Sequence, residues 1–524
     1  MGSIGWGIYN LIIGQIKDKQ NLILVLLLYL FFSAILFSNF KYIINSDGIA
    51  YISIAKSYLS GNIHQAINGY WSPLYSWLLM PFIAIWPGNL ENVISTKILA
   101  IIIGLFTLIG IYLILNLLKF SNLLKTIILL ALIPFMLYFT FNYITPDLLV
   151  VCILLYYLNF LMDDKYRKSK YMGLITGLWG ALAFLSKSYV FFFFLIHFIL
   201  TNLYYIKKFP MDGSTIKKNL LLGLSVFLII SGIWAGVISE KYGVVTIGTT
   251  GSYNYALVGP ESDGHLMLYQ GLISPPNEFS VSSWEDPSYY QVKKWNPLES
   301  KSNFIHQIKV LLNNIWQMIL ISLYLLFVPL FIISLALFLL LRSKRTSVKN
   351  NIIFILGSII LYTSGYIFIW VEDRYLWFIL ILTFILGFYI LNILYDDNFI
   401  KKNLYKSLFV ILVISLAFFP LLSLSNYAGA SSGFYETSVD LRSHGINGKI
   451  ASNAKWEIMN YFSYYLDSKY YGITKNQTDV ELKQTLISNQ INYYFAWGDS
   501  SSKDFLGENV YDTRYFKVFK IDNG

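Results

Sequence analysis

The sequence predicts a mainly α-helical, polytopic membrane protein, and three observations carry that expectation. Of 524 residues, 56% are hydrophobic and 18% aromatic, while only 13% are charged. A soluble globular chain carries about 25% charged residues, so the composition belongs to the bilayer. Apolar runs long enough to cross a hydrocarbon core of about 30 Å recur along the chain. Basic residues also gather in alternate short connections, as they do where a chain crosses a membrane repeatedly.

In chain order, residues 1–20 read as a short amphipathic lead-in, with Lys17 and Lys19 before the first span. They lack an early basic region and a small-residue cleavage site, so no cleavable signal peptide is expected. Apolar runs then fall at 21–40, 91–118, 123–142, 146–162, 171–186, 188–206, 220–239, 315–341, 351–370, 375–394 and 405–425, about eleven spans inside a membrane domain of 21–425. The single cysteine, Cys152, excludes an intrachain disulfide. No internal repeat is evident.

The stretch from Asn39 to Pro87, within a first loop of 41–90, is neither a span nor an ordinary loop. Ser46, Asp47 and Gly48 open a helix with Ile49, Ile52, Ala55 and Leu59 on one face, closed by Gly61 as a left-handed residue. A second helix starts near Pro73 and runs to Trp86. Both suit the membrane interface, where Tyr70, Trp71, Tyr75, Trp77 and Trp86 belong. Two further segments stand apart from the spans. The loop 240–306 is long and rich in Gly, Pro, Ser, Tyr and Trp, and its aromatics argue against disorder. The tail 426–524 reads as a small α/β domain. Its strands are GKIASN, YYGIT, INYYFAW and RYFKVFKI, and a Thr478/Glu481 capping box starts its second helix.

Sidedness follows from the short loops. Lys119, Lys125, Lys165, Arg167, Lys207, Lys217, Arg342, Lys349, Lys401 and Lys406 share one side, whereas the short loops opposite hold Lys187 and Arg374 alone. The positive-inside rule places the N-terminus in the cytoplasm and the C-terminus outside the cell membrane. The net charge of +10 is this topology signal, so nucleic acid is not expected as a partner.

Ionisable residues near spans are costly and are candidate functional groups. Asp47, Asp147 in YITPDLLVV, Lys187 in LSKSYVFF, and Glu372, Asp373 and Arg374 in WVEDRYLW converge by topology on the outer face. Each has a plainer reading. Asp47 and Asp147 suit helix caps, Lys187 can snorkel to the interface, Glu372 with Arg374 can form a structural ion pair, and His64 suits a polar loop. No His/Asp/Glu spacing announces a metal site, and no nucleotide-binding glycine loop is present.

As an ordered set, a lone acid in the first outer loop, NGYWSPLYSWLLMPF, TPDLLVV, LSKS and EDRYLW resemble the GT-C glycosyltransferases. More narrowly, they are similar to the family 39-like enzymes grouped with protein O-mannosyltransferases and the aminoarabinose transferases of lipid A. The resemblance covers residues 20–395. It implies inverting transfer of a sugar from a polyprenyl-phosphate donor to a lipid, glycan or protein acceptor at the outer membrane face. By that resemblance Asp47 matches the first-loop acid, Asp147 the acid at the outer end of the fourth span, Lys187 the basic residue there and Arg374 the late Arg-Tyr motif. The chemistry of such a transfer then calls for Asp47 as the catalytic base and Lys187 and Arg374 on the donor phosphate, with Asp147, Glu372, Asp373, His64, Tyr70 and Trp71 as supporting candidates. One departure stands out. Relatives often pair the first-loop acid with a second, and here Gly48 follows Asp47, which argues against a divalent metal cofactor because one carboxylate holds such an ion poorly. The competing classes are a polysaccharide polymerase or ligase, which would favour His and Arg in the long loop, and a transporter, which would place ionisable groups at the midplane.

Overall fold

The computed structural model describes residues 2–262, 264–269, 271–290, 292–498 and 504–522, without the side chains of 2–18, 269 and 504. The lead-in expected over 1–20 forms the start of a helix, but its amphipathic face lies outside the described side chains. All eleven apolar runs are helical. They are α1 (Gly2–Phe40), α5 (Asn89–Leu117), α6 (Asn122–Asn142), α7 (Asp147–Met162), α9 (Met172–Ser186), α10 (Val190–Lys208), α11 (Gly213–Tyr242), the pair α14 (Lys301–Tyr324) and α15 (Val328–Arg342), α16 (Thr346–Tyr366), α17 (Trp377–Asp396) and α18 (Lys402–Tyr427). Between the first two lie α2 (Ser46–Leu59), α3 (Ile63–Ala66) and α4 (Leu74–Ile85), and the short α8 (Asp164–Lys168) joins α7 to α9.

Among the described residues, eight helices are long and apolar enough to cross a membrane, or nine if the bent pair counts as one span. The expected eleven is corrected at three places. α7 and α9, at 16 and 15 residues, reach only about 24 Å, so they cross only where the bilayer thins or their flanks snorkel. The run 315–341 is not one continuous helix: it breaks between α14 and α15 with a 107° bend. Leu326 and Phe327 adopt left-handed backbone there, Pro329 lies in the first turn of the second helix, and the Leu325 carbonyl accepts from Val328 N–H at 3.1 Å and from Ser415 Oγ of α18 at 2.6 Å. Irregular backbone at this depth requires such a partner.

α17 is apolar all round and buried on all sides from Trp377 to Leu391, the axis of the bundle. α9 packs on α11 almost backbone to backbone. A Cβ at Gly173 would lie 2.1 Å from the Asn219 carbonyl oxygen, and one at Gly177 would lie 2.3 Å from that of Gly223. Small residues one turn apart let membrane helices approach this closely. Leu27, Phe106, Ile233, Phe338 and Ile360 remain exposed, as lipid-facing residues should.

The tail forms a five-stranded sheet ordered β2-β1-β3-β5-β4. Its strands are β1 (Lys449–Ser452), β2 (Lys469–Ile473), β3 (Tyr493–Trp497), β4 (Gly507–Asp512) and β5 (Phe516–Ile521). β1 runs parallel to β2 and β3, and β5 is antiparallel to β3 and β4. Helices α19 (Ser432–Ser443), α20 (Trp456–Leu466) and α21 (Asp479–Ser488) accompany it, and the Thr478/Glu481 capping box forms as the sequence implies. Edge strand β4 and helix α19 are polar and carried no readable periodicity.

The long loop is ordered, with short helices α12 (Thr250–Leu257) and α13 (Leu266–Tyr269), and it docks on the tail. Tyr470 N–H donates to the Val281 carbonyl and Ile273 N–H to that of Tyr471, both at 2.7 Å, so the loop continues the sheet beyond β2. The tail in turn sits on the membrane helices, where Asn89 Nδ2 donates to the Tyr464 carbonyl and Tyr464 Oη returns a bond to that of Asn89, both at 2.8 Å. α2 is therefore buried almost throughout, including Ser53, which lies off the Ile49, Ile52, Ala55 and Leu59 face.

Candidate active site

Asp47 lies in the first turn of α2, but it does not cap the helix. Asn45 holds the N-cap position, and its side chain is turned to the adjoining 143–146 turn, where Oδ1 accepts from Ile144 N–H at 2.9 Å. The Asp47 carboxylate faces a cavity of about 500 Å³ at the end of the bundle covered by the long loop and the tail. Arg374 Nη1 donates to its Oδ2 at 2.7 Å, and Trp284 Nε1 of the long loop donates to its Oδ1 at 3.1 Å.

Around it, turns from separate helices bring the other ionisable groups together. Asp147 begins α7 directly after Pro146, and its Oδ1 accepts from Lys187 Nζ at 2.6 Å. Lys187 occupies the break between α9 and α10 with its ammonium 3.8 Å from the Tyr375 ring. Arg374 is shared, its Nε donating to Glu372 at 2.6 Å. Asp47, Asp147, Lys187, Glu372 and Arg374 thus line one cavity with Tyr70 and Trp71. Both cations already hold carboxylates, so a bound anion would join ion pairs rather than meet free charges. Tyr70 and Trp71 are fixed by an Asn68 turn, in which Asn68 Oδ1 accepts from both backbone N–H groups at 2.9 Å.

Two expected members stand elsewhere. His64 is exposed on α3 and does not line the cavity. Asp373 points to a neighbouring apolar cavity of about 400 Å³, where Tyr138 Oη donates to it at 2.5 Å. The three-residue turn Glu372–Arg374 therefore divides its charges between two chambers, and the Tyr143 ring lines both. The apolar chamber is walled by α6, α14, α17 and α18, and its rim includes exposed Tyr324, Leu422 and Tyr427.

Sequence reasoning did not single out the residues of the roof. His265 of the long loop stacks on Trp456 at 4.6 Å and lies 4.3 Å from Trp284. Burial holds its imidazole down to about 4, against the pull of Asp47, so it is neutral near pH 7. Trp456, Glu457 and Tyr461 enter from α20, and burial, aided by Asp47, raises the Glu457 carboxyl. The available signal was the repeated Trp-Glu pair, in Ser282–Glu285 and again in Lys455–Glu457 at a helix start.

A second carboxylate beside Asp47 has no room. A Cβ at Gly48 would lie 2.6 Å from Cβ of Ile144. Among the described residues, no group of three or more His, Cys, Asp or Glu side chains is arranged to hold a metal ion.

Fold and cavity together define the class: a polytopic membrane protein with ionisable residues gathered at one end of the bundle beneath a small α/β cap. Among solved structures, the chain is similar to ArnT from Cupriavidus metallidurans bound to undecaprenyl phosphate. The TM-score is 0.54 at 12% identity, covering 94% of this chain and 97% of that one. The apo form of ArnT is also similar, at 11% identity and a TM-score of 0.45. No protein-family model and no curated protein matches the sequence.

Proposed function

We propose that this chain is an inverting membrane glycosyltransferase that takes a sugar from a polyprenyl-phosphate donor at the outer face of the membrane. The observation that carries the reading is the meeting of Asp47, the Asp147–Lys187 pair and the Glu372–Arg374 pair in one roofed cavity. Asp47 accepts the proton of an acceptor hydroxyl as its oxygen bonds to the anomeric carbon, which is general-base catalysis. The bond from that carbon to the phosphate oxygen breaks, and the lipid phosphate leaves with the electron pair. Lys187 and Arg374 stabilise the growing charge, and a dry site strengthens that effect. The apolar chamber beyond Tyr143 has the lining and the open rim that a prenyl chain needs. ArnT, whose fold this chain shares, was solved with undecaprenyl phosphate, which favours a donor of this type.

The test is a transfer assay of the purified protein with a panel of polyprenyl-phosphate sugars, with and without a chelator. Transfer that survives the chelator is expected from at least one donor. Asp47→Asn is expected to keep the fold and undecaprenyl phosphate binding while turnover falls about 10²–10⁴-fold. Near-normal transfer by Asp47→Asn would move the base to Asp147 or Glu372. Lys187→Met and Arg374→Met are expected to weaken undecaprenyl phosphate binding as well as turnover, and Arg374→Lys to restore only part, because one ammonium cannot reproduce a planar fork.

A further inference from the structure

Asp47 is held from two sides by groups distant in the sequence. Arg374 takes Oδ2, and the indole of Trp284, 237 residues away, takes Oδ1. Trp284 is 7% exposed, so its ring is set by packing. Its carbonyl accepts from Trp71 Nε1 at 3.3 Å, and its ring meets those of Trp71 and Tyr70 edge-on. The residue sits inside a one-turn helix whose start is held by Glu285 Oε1, which accepts from Val281 and Ser282 N–H. That turn is tied to β2 through the Val281 carbonyl. The indole cannot swing away unless this part of the long loop undocks.

An indole N–H only donates and does not titrate at working pH, whereas each carboxylate oxygen has two acceptor sites. A donor on Oδ1 and another on Oδ2 therefore fix the carboxylate plane and leave each oxygen one site for an incoming hydroxyl. Arg374 alone would leave the carboxylate free to rotate about its single contact.

We propose that Trp284 is a positioning residue for Asp47: its N–H aims the carboxylate at the acceptor hydroxyl, so that proton transfer requires the long loop to be docked. The inference rests on the reading of Asp47 as the base. Trp284 makes no claim on the donor phosphate, which the Lys187 and Arg374 side of the cavity would hold. Aim and binding are separable. A group that aims the base acts on kcat and leaves ground-state donor binding alone.

Trp284→Phe keeps an aromatic ring between Trp71 and His265 and removes only the donor. With the polyprenyl-phosphate sugar that the panel assay finds active, kcat per folded molecule is expected to fall about tenfold or more. The donor KM, the affinity for undecaprenyl phosphate and Tm should stay near wild type. Trp284→Ala, which removes ring and donor, should lower kcat and Tm together. A Trp284→Phe chain with wild-type kcat would overturn the proposal. So would a kcat loss that merely follows the loss of folded protein in near-UV circular dichroism, or a higher donor KM at unchanged kcat. An active Asp47→Asn would sink the base assignment itself, whereas an inactive Asp47→Asn beside a fully active Trp284→Phe would sink only the role of the indole.

Discussion

A methyl group at position 48 would overlap Ile144, so the glycine after Asp47 is a packing requirement. The turn it touches, 143–146, delivers Asp147 to the cavity, and Asn45 clamps the same turn through Ile144. Gly48→Ala gains up to about 1 kcal/mol of helix propensity, but overpacking costs about 1–3 kcal/mol. The expected outcome is a lower Tm and reduced transfer; an unchanged Tm would show that the turn yields freely. At this scale the sequence was legible where residues were costly. Asp47, Asp147, Lys187, Glu372 and Arg374 stood out because ionisable groups at span ends are expensive, and all five share the cavity. Their pairing was not legible, since it depends on which turns face each other. Trp284, His265, Trp456 and Glu457 did not stand out because such residues are ordinary in a loop or a soluble domain, and only the repeated Trp-Glu pair marked them.

Among the elements, the Ser282–Glu285 turn carries a buried carboxyl whose contribution to stability depends on pH. Glu285 is 2% exposed, and its Oε1 accepts from Val281 and Ser282 N–H at 2.5 and 3.0 Å. Burial pushes its carboxyl up to about 7, only partly offset by its hydrogen bonds and by Lys469. An unfolded Glu titrates near 4.3, so the folded chain keeps a proton that the unfolded chain has lost between roughly pH 4.5 and 7. The contribution of Glu285 to stability is thus fully present below that window and is lost as pH rises through it, by on the order of 3 kcal/mol. Glu285→Gln is expected to raise Tm at pH 8, to change little at pH 4.5, and to flatten the slope between them. A mutant-minus-wild-type difference in Tm that is constant across this range would rule the linkage out. Elements were otherwise readable wherever period and length agreed, as at α2, α4, α20 and α21. The α14/α15 break was not readable, because apolar character runs unbroken through Leu325–Val328 and the bend is held by Ser415 from another helix.

For the whole molecule, the long loop and the tail form one roof over the bundle. Removing Asn426–Gly524 takes away Trp456, Glu457 and Tyr461 and exposes the loop backbone that β2 pairs with. Transfer is expected to be lost, with fast amide exchange across Val281–Trp284; undiminished turnover would make the tail a bystander. Sidedness is tested by labelling Ser443→Cys, an exposed position on α19, with an impermeant thiol reagent in a Cys152→Ser background. Labelling in intact cells is expected, and labelling only after lysis would invert the proposed topology.

The joint between loop and tail also sets a timetable for synthesis. Lys469 Nζ closes on the Ser280 carbonyl across 189 residues of chain. At about 5–20 residues per second, a ribosome needs roughly 10–40 s to make that interval. Throughout it, the segment that aims Trp284 at Asp47 has no strand beside it, and five more helices are still to be inserted. The cavity is therefore roofed only after β2 has been made and paired with this segment, and a chain terminated before β2 lacks that part of its lid.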